Sequence, residues 1–252
     1  MQQGNGYTVA FATGICVVCS LALSGVSGAL SARQEENRVL DRQKNILVAV
    51  GYDAAEIAAM PREQIAKTYS DNVEELVIDA NGKPKPDVKL SSLPARVATG
   101  EEVDPSAGLA LYRRRDPANP AASLAFAFPV AGKGLWSTLL GYLAVKPDGD
   151  EVVGLTFYKH GETPGLGAEI EQPWFRQNFV GKRLYRDGVL VGINVEKGAA
   201  ADKPSFKENG AHMVDGISGS TLTGNGVSKM MRVVPRRYQP FFKANATAGQ
   251  GG

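Results

Sequence analysis

The stretch "VDGISGSTLTGNGVSKMM", Val214 to Met231, places four hydroxyl side chains and four glycines before an apolar run that starts at Val227. Val227, Met230, Met231 and Val234 recur at helical spacing, which predicts a helix from about Leu222 with these residues as its buried face. Ser220 or Thr221 can cap that helix, and Thr223 then lies in its first turn. Free N–H groups and the helix dipole favour an anion there. The stretch therefore predicts a phosphate cradle, a nucleophile site or merely a capped helix.

The nucleophile interpretation rests on "GISGS" from Gly216, which nearly matches the esterase motif G-x-S-x-G but has Ser220 in the last position. A serine hydrolase would need His160 or His212, since the chain has two histidines. A membrane-anchored serine hydrolase and a non-catalytic binding module remain alternatives at this point.

Strand patterns are dense in the middle of the chain. "SLAFAFPV", "GLWSTLLGYLAV" and "EVVGLTFYKH" predict an antiparallel meander, with a hairpin at the turn 147–150. "EELVID" before Asn81-Gly82 predicts an earlier strand, and "GVLVGINV" a later one. Because strands follow one another rather than alternating with helices, we expect an α+β domain built on a twisted antiparallel sheet.

Residues 1–32 carry no charged side chain, and Tyr7 to Leu30 is mainly apolar. These 24 residues would span about 36 Å as a helix, enough to cross a bilayer, and they lack the basic start of a signal peptide. We expect an uncleaved membrane anchor. Small residues at every fourth position (Ser20, Ser24, Gly28) suit contact with other membrane helices. Basic residues follow the segment and none precedes it, so the charge pattern alone keeps the large domain in the cytoplasm.

The remaining segments predict a helix from Arg33 to about Val50 and a second from Arg62 to Thr68, with Pro61 at its first position. Lys83 to Asp116 is rich in proline and polar residues, so we expect mostly loop and sheet edge there. The basic run Tyr112 to Asp116 is interpreted as a short solvated loop. The expected organisation is an anchor (1–32), a helical connector (33–72), a ligand-binding domain (73–240) and a disordered tail (241–252).

Composition and cysteine usage argue against two further kinds of site, a nucleic-acid interface and a metal site. With 28 basic against 26 acidic residues, the chain has no charge pattern typical of nucleic-acid binding. Cys16 and Cys19 would need two further ligands from another chain to hold a metal, so no metal site is assigned.

Two further glycine loops depart from the known phosphate motifs. "AGKGLWST", Ala131 to Thr138, lacks the residues that a P-loop needs around its lysine. "HGETPGLGAEIE", His160 to Glu171, fails the dinucleotide pattern, because Ile170 stands where the third glycine belongs. Its glycines suit a loop whose backbone approaches a flat ligand, or simply a tight connection.

Taken together, these motifs resemble the family of covalent-FMN subunits, the C subunits, of the bacterial sodium-translocating NADH:quinone oxidoreductase. "SGSTLT", Ser218 to Thr223, is similar to the flavinylation motif S-G-A-T-x-T, with Ser220 in place of alanine. "ETPGLG" and "GLWS" are similar to the flavin-contacting loops of that family, and "LDRQKNILVAVG" to its post-membrane segment. The homologous G subunit of the ion-translocating ferredoxin:NAD oxidoreductase is the alternative within this class.

The resemblance implies that Thr223 carries FMN through a phosphoester and that Ser218, Gly219, Ser220 and Thr221 form its loop. It further implies that the flavin ring is bordered by Leu135, Trp136, Thr163, Gly165 and Leu166. A separate flavin transferase would attach FMN from FAD, and the flavin domain would face the periplasm from the bacterial inner membrane. The protein would relay electrons within the larger complex and, lacking a dinucleotide fingerprint, would not oxidise NADH alone.

Overall fold

The computed structural model describes residues 5–248. The chain divides after Asp41 into two units. The first unit is helical, and its apolar side chains from Tyr7 to Leu30 are exposed. Gly6–Ser31 is long and apolar enough to cross a membrane, by length and composition. The predicted anchor and the predicted connector helix are parts of one continuous helix, α1.

The second unit, from Arg42, holds all the strands that lie within residues 5–248. The α-helices of the described residues are α1 (Asn5–Ala49), α2 (Ala54–Ala59), α3 (Arg62–Asn72), α4 (Ala95–Ala98), α5 (Pro173–Gln177), α6 (Phe206–Asn209), α7 (Thr221–Val233) and α8 (Gln239–Ala248). The longer strands are β1 (Val73–Ile78), β2 (Leu109–Arg115), β3 (Ser123–Lys133), β4 (Thr138–Val145) and β5 (Val152–Lys159). Four short strands follow: β6 (Tyr185–Arg186), β7 (Val189–Leu190), β8 (Asn194–Val195) and β9 (Met213–Val214).

The main sheet has the strand order β1-β2-β3-β4-β5, and every pair is antiparallel. This confirms the predicted meander and the α+β class. The β3–β4 hairpin brings Lys133 opposite Thr138, and residues 134–137 form its loop. That loop lies at the same end of the sheet as the segment that leaves β5 at Lys159. The hairpin thereby places the "GLWS" and "ETPGLG" motifs side by side.

The interpretation of Tyr112 to Asp116 as a solvated loop is wrong. Tyr112 is buried, and the three arginines belong to β2, which pairs with β1 and β3 inside the sheet. Arg113 lies opposite Glu74 in register, and its guanidinium contacts that carboxylate at 3.0 Å. Arg114 donates to the carbonyl of Val50 at 2.7 Å. The arginines are accommodated because partners distant in sequence take up their charge and N–H groups.

Both faces of the sheet are covered. On one face lies the end of α1: Thr156 donates to the carbonyl of Asn45, and a Cβ on Gly154 would strike the Ala49 backbone. On the other face α7 packs across β3 and β8, with its predicted apolar residues Val227, Met230, Met231 and Val234 at 2% exposure or less. Helix α7 is thereby held against the end of the sheet that carries the glycine loops.

Three other expectations need correction. "GVLVGINV" is not one strand, because Gly192, at φ +71°, breaks it between β7 and β8. Pro61 precedes α3 as its N-cap rather than starting it. The segment expected to be disordered from 241 begins as helix α8, since Phe241 and Phe242 pack edge-on against Phe126. Residues 249–252 of that expected tail lie outside the described residues, and the domain boundaries stay predictions.

Candidate functional site

Helix α7 begins where the hydroxyl-rich stretch predicts. Ser220 is its N-cap but makes no side-chain capping bond, and its Oγ is buried without a hydrogen-bond partner among the described residues. The N–H groups of the first turn, which an α-helix cannot satisfy internally, therefore receive no help from the cap. Thr223 lies in this turn, with a side chain that is 1% exposed. The helix start combines one unpaired hydroxyl, one buried hydroxyl and free backbone donors.

Two turns of the same kind face this helix start. Leu166 N–H donates to Thr163 O across Pro164-Gly165, and Ser220 N–H donates to Ile217 O across Ser218-Gly219. In both, the third residue is a glycine with positive φ, +72° at Gly165 and +73° at Gly219, as a type II turn requires. A Cβ on Gly219 would lie 2.9 Å from the side chain of Leu166, so the two turns are in close contact.

A buried carboxylate, Glu162, joins the elements of the site. Its Oε1 accepts from the N–H groups of Trp136 (2.9 Å) and Ser137 (3.2 Å), and its Oε2 accepts from Leu135 N–H at 3.1 Å. Oε2 also accepts from the Thr223 hydroxyl at 2.6 Å. Three successive amides converging on one anion form a backbone anion-binding concavity. Glu162 thus ties the β3–β4 loop and the start of α7 to its own loop.

The ionisation of Glu162 follows from these bonds. Burial raises the pKa of the carboxyl, but the hydrogen bonds from Thr223 and the three backbone amides stabilise the charged form and lower it. The net effect is a pKa below the ordinary 4.5, so the group is a carboxylate at neutral pH.

The backbone N–H of Glu162 also donates to His160 Nδ1 at 3.2 Å, and His160 Nε2 lies 3.1 Å from the Glu171 carboxylate.

The β3–β4 loop, the loop that carries Glu162 and the start of α7 line one cavity of about 200 Å³. It gathers most of the residues that the sequence singles out: Leu135, Trp136, Thr163, Leu166, Gly219, Ser220, Thr221 and Thr223. Gly165 shapes the turn beside it. Ser218 lines a neighbouring cavity of about 630 Å³, on the side of Trp174 and Lys197. Trp136, 70% exposed, and Leu222, 61% exposed, stand at the mouth of the smaller cavity.

Several known proteins are similar to this chain. Residues 134–234 match the FMN-binding domain family. The chain is 35% identical to the C subunit of Na(+)-translocating NADH-quinone reductase from Pasteurella multocida, over 86% of this chain and 85% of the relative. The same subunit of Yersinia pestis is 34% identical, over 94% and 92%. The chain belongs to the C subunit family of these reductases. The crystal structure of Shewanella oneidensis NqrC has the same fold, with a TM-score of 0.69 at 26% identity over 85% of this chain and 99% of that one.

Membership of the C subunit family does not favour the alternatives raised by the sequence, the ferredoxin-linked G subunit and the serine hydrolase. The site geometry agrees. His160 bonds to Glu171 and Glu162, and His212 Nδ1 meets the carbonyl of Arg183 at 2.7 Å. Within residues 5–248, neither histidine bonds to the serines of "GISGS".

The sequence alone assigns no role to Glu162, Gly167 or Leu222, although all three lie within the quoted motifs. Glu162 lies inside a glycine loop, and nothing near it in sequence indicates its donors, which come from residues 135–137 and 223. A Cβ on Gly167 would lie 2.8 Å from both Glu162 Oε2 and Thr223 Oγ1. Glycine at this position lets those two atoms meet. The "PGLG" spacing does not reveal this requirement by itself, because the two partner atoms come from residues 162 and 223.

Proposed function

We propose that this chain carries FMN covalently, through a phosphoester on Thr223. The observation that supports the proposal most directly is the meeting of three features in one cavity. These are a threonine hydroxyl in the first turn of α7, an unpaired serine hydroxyl beside it, and apolar side chains at the mouth. Membership of a family with an FMN-binding domain supplies the ligand class.

The residues present fit a flavin phosphate. The first-turn N–H groups of α7 and the helix dipole favour an anion next to Thr223. The Ser220 hydroxyl, buried without a partner among the described residues, is a donor that a phosphate oxygen would satisfy. Gly219, with positive φ, keeps the loop backbone close to the same place. Together these groups hold the phosphate end of the cofactor.

The residues at the mouth fit a flat aromatic ring. Leu135, Trp136 and Leu166 are partly exposed apolar side chains around an opening. The cavity is smaller than the roughly 300–1,000 Å³ of most ligand pockets, so these exposed side chains would have to supply the rest of the ring's surface. When bound, a flavin supplies one- and two-electron redox chemistry. The side chains of this domain exclude water from one side of the ring and fix its position.

Attachment is tested by producing the full chain together with a flavin transferase and FAD. The chain should gain the mass of FMN minus water and fluoresce in a denaturing gel. Thr223→Ala should abolish both signals, whereas Thr221→Ala should keep them, because Thr221 lines the same cavity but is exposed and two residues away. Ser220→Ala should also keep the covalent flavin. Flavin retained in Thr223→Ala would refute the assignment.

As a member of the C subunit family, the chain is a subunit of an NADH-quinone reductase. We infer that it relays electrons between neighbouring centres and does not oxidise NADH itself. The sequence has no dinucleotide fingerprint, and the glycine loops serve the Thr223 cavity instead. Other subunits of the complex would then hold the NADH and quinone sites, and the small-residue face of α1 at Ser20, Ser24 and Gly28 suits contact with them.

The placement in the cell follows from the family resemblance. We propose a single-pass protein of the bacterial inner membrane, anchored by Gly6–Ser31, with the flavin domain in the periplasm where a flavin transferase modifies it. Positive charges after the segment oppose this orientation, but Arg33, Arg38 and Arg42 are interleaved with acidic residues, which makes the charge count a weak guide.

A further inference from the structure

We propose that Glu162 is the group that accepts the proton of the Thr223 hydroxyl when the phosphoester forms. The inference rests on the proposed covalent attachment at Thr223 and adds to it a second catalytic residue, supplied by the acceptor chain itself rather than by the transferase.

The geometry carries the assignment. Thr223 Oγ1 and Glu162 Oε2 are 2.6 Å apart, which is a short charge-assisted hydrogen bond with the hydroxyl as donor. Both side chains are buried, with Glu162 only 5% exposed. A threonine hydroxyl is a weak nucleophile at its own pKa and is activated by an adjacent base within hydrogen-bond reach. Among residues 5–248, Glu162 is the side chain that bonds to this hydroxyl.

The surroundings hold the carboxylate in the form and position that the reaction needs. Oε1 accepts from the amides of Trp136 and Ser137, and Oε2 accepts from Leu135 N–H, so the remaining acceptor direction of Oε2 points to Thr223. Gly167 leaves the space between the two groups open. A carboxylate held ionised by backbone donors is a weak base, but it is present in the correct form across the neutral pH range.

The step balances without any redox partner. The co-reactant is a flavin adenine dinucleotide. A bond forms between Thr223 Oγ1 and the phosphorus next to the flavin, and the bond from that phosphorus to the bridging pyrophosphate oxygen breaks. The leaving group is AMP, and the threonine proton moves to Glu162 Oε2 and from there to solvent. The ester oxygen no longer donates, and Glu162 keeps its three amide donors.

The test is the rate of flavin attachment to the full chain in detergent, with a flavin transferase and FAD, followed by mass and by in-gel fluorescence. The quantity compared is the ratio of variant to wild-type rate at each pH, because the transferase's own pH dependence cancels in it. General-base catalysis contributes about 10²–10⁴-fold, so Glu162→Gln should lower the ratio at least about 100-fold near neutral pH. The ratio should then rise with pH, as hydroxide replaces the missing base.

A purely structural role makes a different prediction. If Glu162 only holds the loops together, Glu162→Gln lowers the ratio by the same factor at every pH. A ratio that stays constant with pH, or one within about twofold of unity, overturns the proposal. Glu162→Asp keeps a carboxylate and should attach flavin faster than Glu162→Gln. If the glutamine variant does not fold, the pH dependence of the rate ratio is measured on the aspartate variant instead. An aspartate variant no faster than the glutamine variant also overturns it.

The matched control is Glu169→Gln. Glu169 lies on the same loop, accepts from Trp174 Nε1 at 3.1 Å and does not bond to Thr223, so its ratio should stay near one. Failure of the parent proposal is distinguishable: wild-type chain that gains no FMN, or gains it away from Thr223, refutes the covalent assignment. If the wild-type chain is modified at Thr223 and Glu162→Gln attaches flavin at the same rate, only the role of Glu162 is refuted.

Discussion

Gly226→Ala tests whether the close contact of α7 with the β3–β4 hairpin positions Thr223. Gly226 lies inside α7, where alanine is intrinsically favoured by about 0.8–1 kcal/mol. The added Cβ, however, would overlap the carbonyl oxygen of Lys133 and lie 3.4 Å from the Cα of Gly134. Lys133 lies opposite Thr138, and the next residue, Gly134, donates its N–H to Ser137 O at 2.8 Å, so the hairpin holds the backbone at this point. The helix must therefore retreat from the sheet.

The expected magnitude follows from the two opposing effects. Overpacking a well-filled interior costs about 1–3 kcal/mol, and a backbone obstacle puts this case at the upper end. After the gain in helix propensity, about 1–2 kcal/mol of destabilisation remains. At about 2–4 °C per kcal/mol for a domain of this size, the melting temperature should fall by about 2–8 °C. Attachment of flavin should slow as well, because Thr223 moves with α7.

The assay is thermal and urea unfolding of the full chain in detergent, followed by tryptophan fluorescence. Both tryptophans, Trp136 and Trp174, lie in the unit that begins at Arg42, so the signal reports on the sheet domain and not on the apolar helix. Asn225→Ala is the control: Asn225 is exposed on the same helix, and its replacement should be neutral or slightly stabilising. Stability of Gly226→Ala at or above wild type would refute the argument that this contact is tight.

Three further predictions concern pH, orientation and electron transfer. The folded-state pKa of Glu162 lies below 4.5, so its stabilising effect is present above that pH and is lost as the pH falls through the folded value. Wild-type chain should thus lose its stability margin over Glu162→Gln as the pH falls from the ordinary pKa of 4.5 through the lower folded-state pKa. A margin that stays constant over that fall in urea unfolding contradicts the assigned hydrogen bonding of the carboxylate. A phosphatase that is active only in the periplasm should be active when fused after Val234. A fluorescent reporter that works only in the cytoplasm should be dark at the same position, and the reverse pattern rules out the periplasmic placement. In stopped-flow measurements, NADH should reduce the flavin of the isolated protein slowly or not at all, and the flavin of the whole complex rapidly; equal rates exclude a relay role.

The parts of the fold that the sequence predicts are those whose signal is local. Helix α7 has its apolar face, its cap and its start within one stretch of 18 residues, so periodicity alone identifies it. The hairpins around β3, β4 and β5 are likewise indicated by consecutive apolar runs and turns. Strand β2 is different: its arginines are tolerated because Glu74 and the carbonyls of Val50 and Ser70 receive them, and those partners lie at least 39 residues away. No window along the chain contains that information.

The same distinction explains why sequence reasoning misses part of the site. Resemblance singles out the two turns and Thr223 as the expected site, since each lies in a short motif with its glycine in place. Glu162 is the first residue of the "ETPGLG" motif, but nothing in its own loop gives a reason to expect a buried charge there. Its donors come from residues 26 positions earlier, at Trp136, and 61 later, at Thr223. A buried carboxylate is costly unless its oxygens are paired, and Glu162 is paired on both. The arrangement that buries Glu162 therefore has to assemble the β3–β4 loop, the "ETPGLG" loop and the start of α7 at once. The proposed attachment of a flavin phosphate to the Thr223 hydroxyl depends on that assembled state.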